Sequence, residues 1–555
     1  MNMCDLVAEN KLEQLTQKFL KDYWDFLPTT GSRIGLHQYD GRLPELSPNR
    51  VRARVEELRR SLGQLSGIAT EQLSKNQLLS YRLLDLLLKR ELFNLDEWRT
   101  METNPMKQVG FLNVSGYVRR DYAPVVDRLR AAIEILKQVP EFLEILKTTL
   151  LPNIGRPVLE MSIESYRGMA RFYRVDLNQI KNDCSDKEIK TLFDQARETA
   201  ADAVIKFVDF LQSMLDNDVP RDFAIGSNLY SGMLSSGEGI NIPLADLTEL
   251  GQANLEQNLE QLALASESVY PGNSIKDTVL NIGSYHPVAE RLIPETRDML
   301  ESIRTSLIDL DLISVPSSDR CQVVETPTYM RYAFAAMDSP GSLEKEATDS
   351  FYYVTPVEDD WSETQCEQWL SNFNYDTLRV ISIHEVYPGH FVHHLHNRYG
   401  RELPLVNRVA TSYAFTEGWA HYTEQMMLET EYGDNEKSLL VTQLLEALVR
   451  NCRYLCSIGM HTQGMTVDEA TKFFMDNAYM EELPARREAL RGTFDPGYLN
   501  YTLGKLMILK LRSDYRKEQG PSYTLKRFHD ELLSHGAPAL PLLRDVILSD
   551  KANVL

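Results

Sequence analysis

Residues 384–390 read HEVYPGH, an imidazole with a carboxylate beside it and a second imidazole six positions after the first. These are the side chains of a zinc-hydrolase site, two nitrogen ligands and a general base, yet helical motifs of that kind space their His residues by four. On a regular helix, positions i and i+4 stand about 40° apart around the axis and positions i and i+6 about 120° apart, so His384 and His390 would diverge. Pro388 changes that expectation, because it has no N–H for the His384 carbonyl and its ring clashes with the preceding turn. Gly389 admits backbone angles closed to other residues. The helix must widen or break between the two His residues, and a bulge there turns His390 back toward His384. Glu385 would then lie near the ion without binding it, where a general base belongs.

Two imidazoles need a third ligand. The stretch TEGWAHYTEQM places Glu417 in the middle of an apolar helical face, with Glu424 two turns further along the same stripe. Glu417 completes a His-His-Glu set that leaves one position for water. Glu424 reads as a carboxylate hydrogen-bonded to a ligand ring N–H, and His421, one turn past Glu417, as another outer-layer contact or a substrate contact. A rival pair is His390 with His394, at helical spacing, but no Glu follows His390. The remaining residues of HFVHHLH, His393, His394 and His396, read as a solvated or capping cluster.

Peptide hydrolysis also needs an oxyanion donor. DPGYLNYTLGK offers Tyr498 and Tyr501 at the start of a helix opened by Pro496 and Gly497, and a phenol can hydrogen-bond the tetrahedral oxygen without carrying charge. Lys505, Arg491 and Arg512 are nearby cations able to hold a free C-terminal carboxylate, which favours a carboxypeptidase. FYYVTP reads either as an exposed strand edge that pairs with an extended peptide, with Tyr352 and Tyr353 as contacts, or as a strand that only packs against the zinc helix.

Helices must position these groups. VRARVEELRRSLGQL, VVDRLRAAIEILKQVPEFLEILKTTL and DKEIKTLFDQARETAADAVIKFVDFLQSML carry apolar residues at three- and four-residue intervals, the amphipathic period. Between about 321 and 356 the character changes: CQVVETP, MRYAFAAM and DSFYYVTPV are β-branched and aromatic runs bounded by Pro and Gly, which predicts a small sheet just before the His-rich segment. The expected architecture is mainly α, two-lobed and metallopeptidase-like, with a small β-sheet beside the zinc helix and a central cleft. A helical region over 1–320 and a catalytic region over 321–555 would form one interlocked unit.

The 555 residues are 43% apolar, ample for a large core. The 59 basic and 80 acidic side chains leave a net charge of −21 without long single-sign blocks, which disfavours nucleic acid as a partner. MNMCDLVAEN has neither the basic start nor the apolar run of a signal peptide, and no later stretch is long enough to span a bilayer, so the expectation is a cytoplasmic protein without a membrane partner. Six scattered cysteines read as reduced thiols, and Cys452 and Cys456, four apart in a helix, as core rather than ligands.

HEVYPGH, TEGWAHYTEQ and RGTFDPGYLNYTLGKLMILKLR together resemble the bacterial domain-of-unknown-function 885 family, regarded as zincin-like metallopeptidases. The similarity extends to TTGSRIGLHQYDGRLPELSP and YSGMLSSGEGINIPLADLTELGQANLEQ, and so covers most of the chain. The resemblance implies a predominantly helical fold with a cleft between lobes, a relationship in outline to gluzincins such as carboxypeptidase Taq, and one Zn2+ per chain on His384, His390 and Glu417 with Glu385 as base. It also aligns Tyr501 with a Tyr that the family retains. The favoured expectation is a zinc metallopeptidase for short peptides. The alternative is a helical peptide-binding protein with a structural metal, against which the intact Glu385 argues. A homodimer is left open.

Overall fold

The computed structural model describes residues 3–180, 184–217, 222–327, 331, 334–358, 360–433, 436–549 and 554–555. It is mainly helical with one three-stranded sheet. The chain divides into two compact units, one made of Met1–Gly237 and Pro340–Thr348, the other of Glu238–Ser339 and Asp349–Leu555. The division falls at Gly237 rather than near residue 320, because the helix Leu244–Val269 (α1) packs lengthwise on Lys437–Thr462 of the second unit. Among the described residues no helix is long and apolar enough to cross a membrane.

In the first unit the predicted amphipathic stretches form long helices, Val125–Thr149 and Lys187–Asp216, packed on each other. The conspicuous TTGSRIGLHQYDG segment folds around His37. Its Nδ1 meets Asp40 at 3.0 Å, its Nε2 meets Glu344 at 2.9 Å, and its ring stacks on Tyr122. That cluster pins the excursion Pro340–Thr348 into this unit.

The sheet lies in the second unit, in the order β1 (Cys321–Glu325), β3 (Ser350–Val354), β2 (Ala335–Asp338). β1 runs parallel to β3, with Val323 opposite Tyr352, and β2 runs antiparallel to it, with Met337 opposite Tyr352. The predicted MRYAFAAM strand is thus confined to its second half, and residues 330, 332 and 333 lie outside the described residues. β3 is the central strand, so its backbone is used on both sides. Tyr352 and Tyr353 are buried, and the expected peptide-pairing edge at FYYVTP does not exist there. The free edge nearest the His-rich segment belongs to β2.

Four more helices complete the frame: Tyr375–Glu385 (α2), His390–Tyr399 (α3), Tyr413–Leu428 (α4) and Lys437–Thr462 (α5). A fifth, Asn500–Gln519 (α6), packs on α4 more extensively than any other pair of elements in the chain. The reason is a glycine on each helix. A Cβ on Gly504 would collide with the Ala414 carbonyl, and a Cβ on Gly418 with the Gly504 backbone. Cys452 and Cys456 lie within α5 and are buried, and burial pushes both thiols up, as befits core residues. All five cysteines whose side chains are described are free; the side chain of Cys4 lies outside them.

Gly504→Ala is expected to force α4 and α6 apart, lowering stability by about 1–3 kcal/mol. A drop in the urea midpoint at unchanged slope, read by circular dichroism, checks this.

Candidate metal centre

The HEVYPGH segment is two helices, not one bulged helix. α2 ends at Glu385 and α3 begins at His390, so Val386–Gly389 form a break. Pro388 has no N–H to continue the ladder, the Tyr387 N–H bonds the Ser382 carbonyl at 3.2 Å, and the Gly389 N–H bonds Ile383 O at 3.0 Å. Gly389 passes so close to His384 that a Cβ there would overlap the His384 carbonyl oxygen. The turn is held from α4: the Trp419 indole N–H donates to the carbonyls of Pro388 and Gly389 at 3.1 and 3.3 Å. Nothing in the sequence pointed to that role for Trp419.

The break brings the two imidazoles together, ring centroids 4.9 Å apart and planes perpendicular. α4 supplies the third group. Glu417 Oε2 lies 3.6 Å from His384 Nε2 and 3.5 Å from His390 Nε2, and one donor atom from each of the three falls within 4.8 Å of the others. Tetrahedral zinc with bonds near 2.0–2.1 Å sets its ligand atoms roughly 3.3–3.4 Å apart, so Glu417 already stands near ligand spacing from both imidazoles. The tautomer fits as well. His384 Nδ1 donates to Glu424 Oε1 at 2.7 Å, which leaves the Nε2 lone pair facing Glu417. Glu424 and His421 are both fully buried and joined to each other at 3.2 Å, His421 Nδ1 to Glu424 Oε2. Glu424 thus takes one hydrogen bond from His384 and one from His421, and among the described residues His421 reaches the cluster only through Glu424.

Without an ion the cluster shares protons. Burial works against charge on His384, and its hydrogen bonds to Glu417 and Glu424 outweigh it, holding the imidazole up at about 9. Burial likewise opposes charge on Glu417, but His390 and His384 outweigh it and hold the carboxyl well below the usual carboxylate range.

A cavity of about 480 Å³ opens beside the triad, lined by His384, Glu385, His390, Glu417, Tyr501 and, from the β2 edge, Ala336 and Met337. Glu385 points into it, and its Oε2 accepts the Met337 backbone N–H at 3.1 Å. Burial, and then the Glu417 charge, raise the Tyr501 phenol, which therefore stays protonated and neutral. Tyr498 is fully buried and not among the residues lining the cavity, and its hydroxyl has no hydrogen-bond partner among the described residues.

The cations assigned to a C-terminal carboxylate are engaged elsewhere. Lys505 is buried on the far side of α4, close to Glu424 and His421, and burial depresses its ammonium to about 8. Arg512 bonds the Tyr422 hydroxyl at 3.2 Å and Glu429 at 2.7 Å. Arg491 comes nearer, 5.8 Å from the Tyr501 ring centroid, but pairs with Asp495 and the Tyr413 hydroxyl. No Lys or Arg is among the described residues lining the cavity.

The HFVHHLH residues are not a solvated cluster either. His393 is buried and burial drives its imidazole down to about 3, His396 bonds the Ser314 carbonyl at 2.7 Å, and His393, His394 and Asn397 continue the cavity wall along α3. The i, i+3, i+4 pattern from His390 was the available signal, since it puts these residues on the face that carries the ligand.

If the triad holds zinc, His384→Ala, His390→Ala and Glu417→Ala should lose it and His394→Ala should keep it, as read by elemental analysis. Zinc affinity should climb roughly tenfold per pH unit and level off near pH 9, where His384 no longer holds its proton. Chelator competition across that range checks the slope.

No curated protein matches this chain. Among solved structures, one described as "a putative lipoprotein of unknown function" from Shewanella oneidensis is similar at 22% identity and a TM-score of 0.81, over 96% of this chain and 99% of that one. A second, described as "the putative lipoprotein" from Colwellia psychrerythraea, is similar at 17% identity and a TM-score of 0.79, over 98% of each chain. At these identities the likeness is one of fold. Residues 28–547, most of the chain, match the family model described as "Bacterial protein of unknown function (DUF885)", and the chain belongs to that family.

Proposed function

We propose that this protein is a zinc-dependent peptidase for short peptides, related in outline to the gluzincins. One observation carries the reading: three convergent donors, His384, His390 and Glu417, stop short of a closed four-ligand site, and a carboxylate outside that set, Glu385, faces the same cavity. A structural ion has four protein ligands and no use for a base. Zinc bound there would act as a Lewis acid on a peptide carbonyl and would acidify a water molecule.

The chain's own residues supply the rest. Glu385 is the group to take a proton from the attacking water and pass it to the leaving amine, and the Met337 N–H holds its carboxylate in place. Tyr501, neutral and at the cavity wall, is the donor for the developing oxyanion. The backbone of β2 turns its free side to the cavity, as the Met337 N–H to Glu385 contact attests, so an extended peptide would pair with β2 rather than with Tyr352 and Tyr353. With Lys505 and Arg512 engaged elsewhere, no built carboxylate clamp supports a carboxypeptidase in particular.

Glu385→Gln should keep zinc and lose hydrolysis of a mixed short-peptide library, because an amide cannot accept the proton. Loss of zinc as well would make Glu385 a ligand, and no hydrolysis by the unaltered protein would overturn the peptidase reading. Tyr501→Phe should lower kcat and kcat/KM together by about 10²-fold or more, with zinc retained. Tyr498→Phe should leave both constants unchanged, since that hydroxyl meets neither the cavity nor a partner.

A further inference from the structure

Behind the triad lies a charged group for which the proposed chemistry has no use. Arg450, on α5, is buried, and its Nη2 lies 3.2 Å from Glu424 Oε1, the same oxygen that accepts from His384 Nδ1. The other Glu424 oxygen takes His421. Arg450 is itself anchored: its Nη1 donates to the Glu446 carbonyl at 2.8 Å and to the Glu446 carboxylate at 2.5 Å, one turn back on the same helix. A carboxylate with no exposure at all would cost several kcal/mol to bury without a compensating cation, and Arg450 is the only guanidinium in contact with it among the described residues. Lys505 is a neighbour by charge only, with no contact to either Glu424 oxygen among the described hydrogen bonds and ion pairs.

We propose that Arg450 is a positioning residue for the metal centre, acting through Glu424. The guanidinium fixes the Glu424 carboxylate between α4 and α5, and that carboxylate fixes the His384 ring on α2 with its Nε2 toward the ion. Three helices are thereby indexed to one bond direction at the ligand, and removing the cation should free both the rotamer of Glu424 and the angle of the His384 ring. This rests on the reading of His384, His390 and Glu417 as a zinc site and adds to it a residue that touches none of the three.

The test is a double-mutant cycle on metal affinity in the full chain. Zinc dissociation constants by chelator competition, and visible spectra after cobalt(II) loading, are measured for the unaltered protein, Arg450→Met, Glu424→Gln and the double variant. Arg450→Met alone should weaken zinc about 10- to 100-fold, the usual scale for outer-layer partners of ligands, and alter the cobalt spectrum. In the Glu424→Gln background the same substitution should add little, because its intermediary has already gone. Arg450→Lys should recover part of the affinity. Equal losses in both backgrounds, or an unaltered cobalt spectrum in Arg450→Met, would overturn the inference while leaving the zinc site standing. Failure of the unaltered protein to bind either ion would overturn both. Thermal midpoints of the metal-free proteins identify a folding defect, and the affinities are compared at a temperature at which all four proteins are folded.

Discussion

A helix cannot turn residues i and i+6 to one point, and this site exists only because the chain gives up the helix between them. Pro388 withholds the N–H that would continue the ladder, Gly389 lets the backbone pass where any side chain would strike His384, and Trp419 ties the resulting loop to the next helix through two indole hydrogen bonds. The break therefore does more than separate two helices. It sets the ring planes of His384 and His390 perpendicular, with both Nε2 atoms toward a carboxylate from elsewhere in the chain.

That carboxylate stands one residue before Gly418, the point at which α4 runs backbone to backbone against Gly504 of α6. The same crossing carries Tyr501 on the opposing helix, so the Glu417 carboxylate and the phenol are indexed to each other by a contact too close to slide. Trp419, the next residue along, reaches back to the broken turn. Three consecutive positions, Glu417, Gly418 and Trp419, thus serve the cluster with His384 and His390, the helix crossing and the loop.

Electrostatics follow the same economy. A chain with a net charge of −21 keeps its interior near the centre balanced, with Glu424 between His384, His421 and Arg450, and Glu417 between the two imidazoles. The cavity itself offers carboxylates, imidazoles and a neutral phenol, with no Lys or Arg among the described residues that line it. With a family of unknown function and neighbours alike in fold alone, the chemistry has to be argued from this arrangement of side chains.

The residues themselves determined what depends on near neighbours: long amphipathic helices from their period, a helix interrupted at Pro388 and Gly389, and Glu417 and Glu424 on one stripe of one helix. Those features follow from backbone sterics and side-chain spacing, which act over a few residues. Tertiary structure alone decided which strand is the edge, since strand order depends on pairings between distant segments, and it put the FYYVTP strand in the centre of the sheet and β2 at an edge. It also decided where each cation points. Arg450 stands 26 residues beyond Glu424 in sequence yet touches it, whereas Lys505 and Arg512, close to Tyr501 in sequence, turn to the buried side of α4 and to Tyr422. A charge's partner is chosen by what burial leaves within reach, and that is known only once the helices have packed.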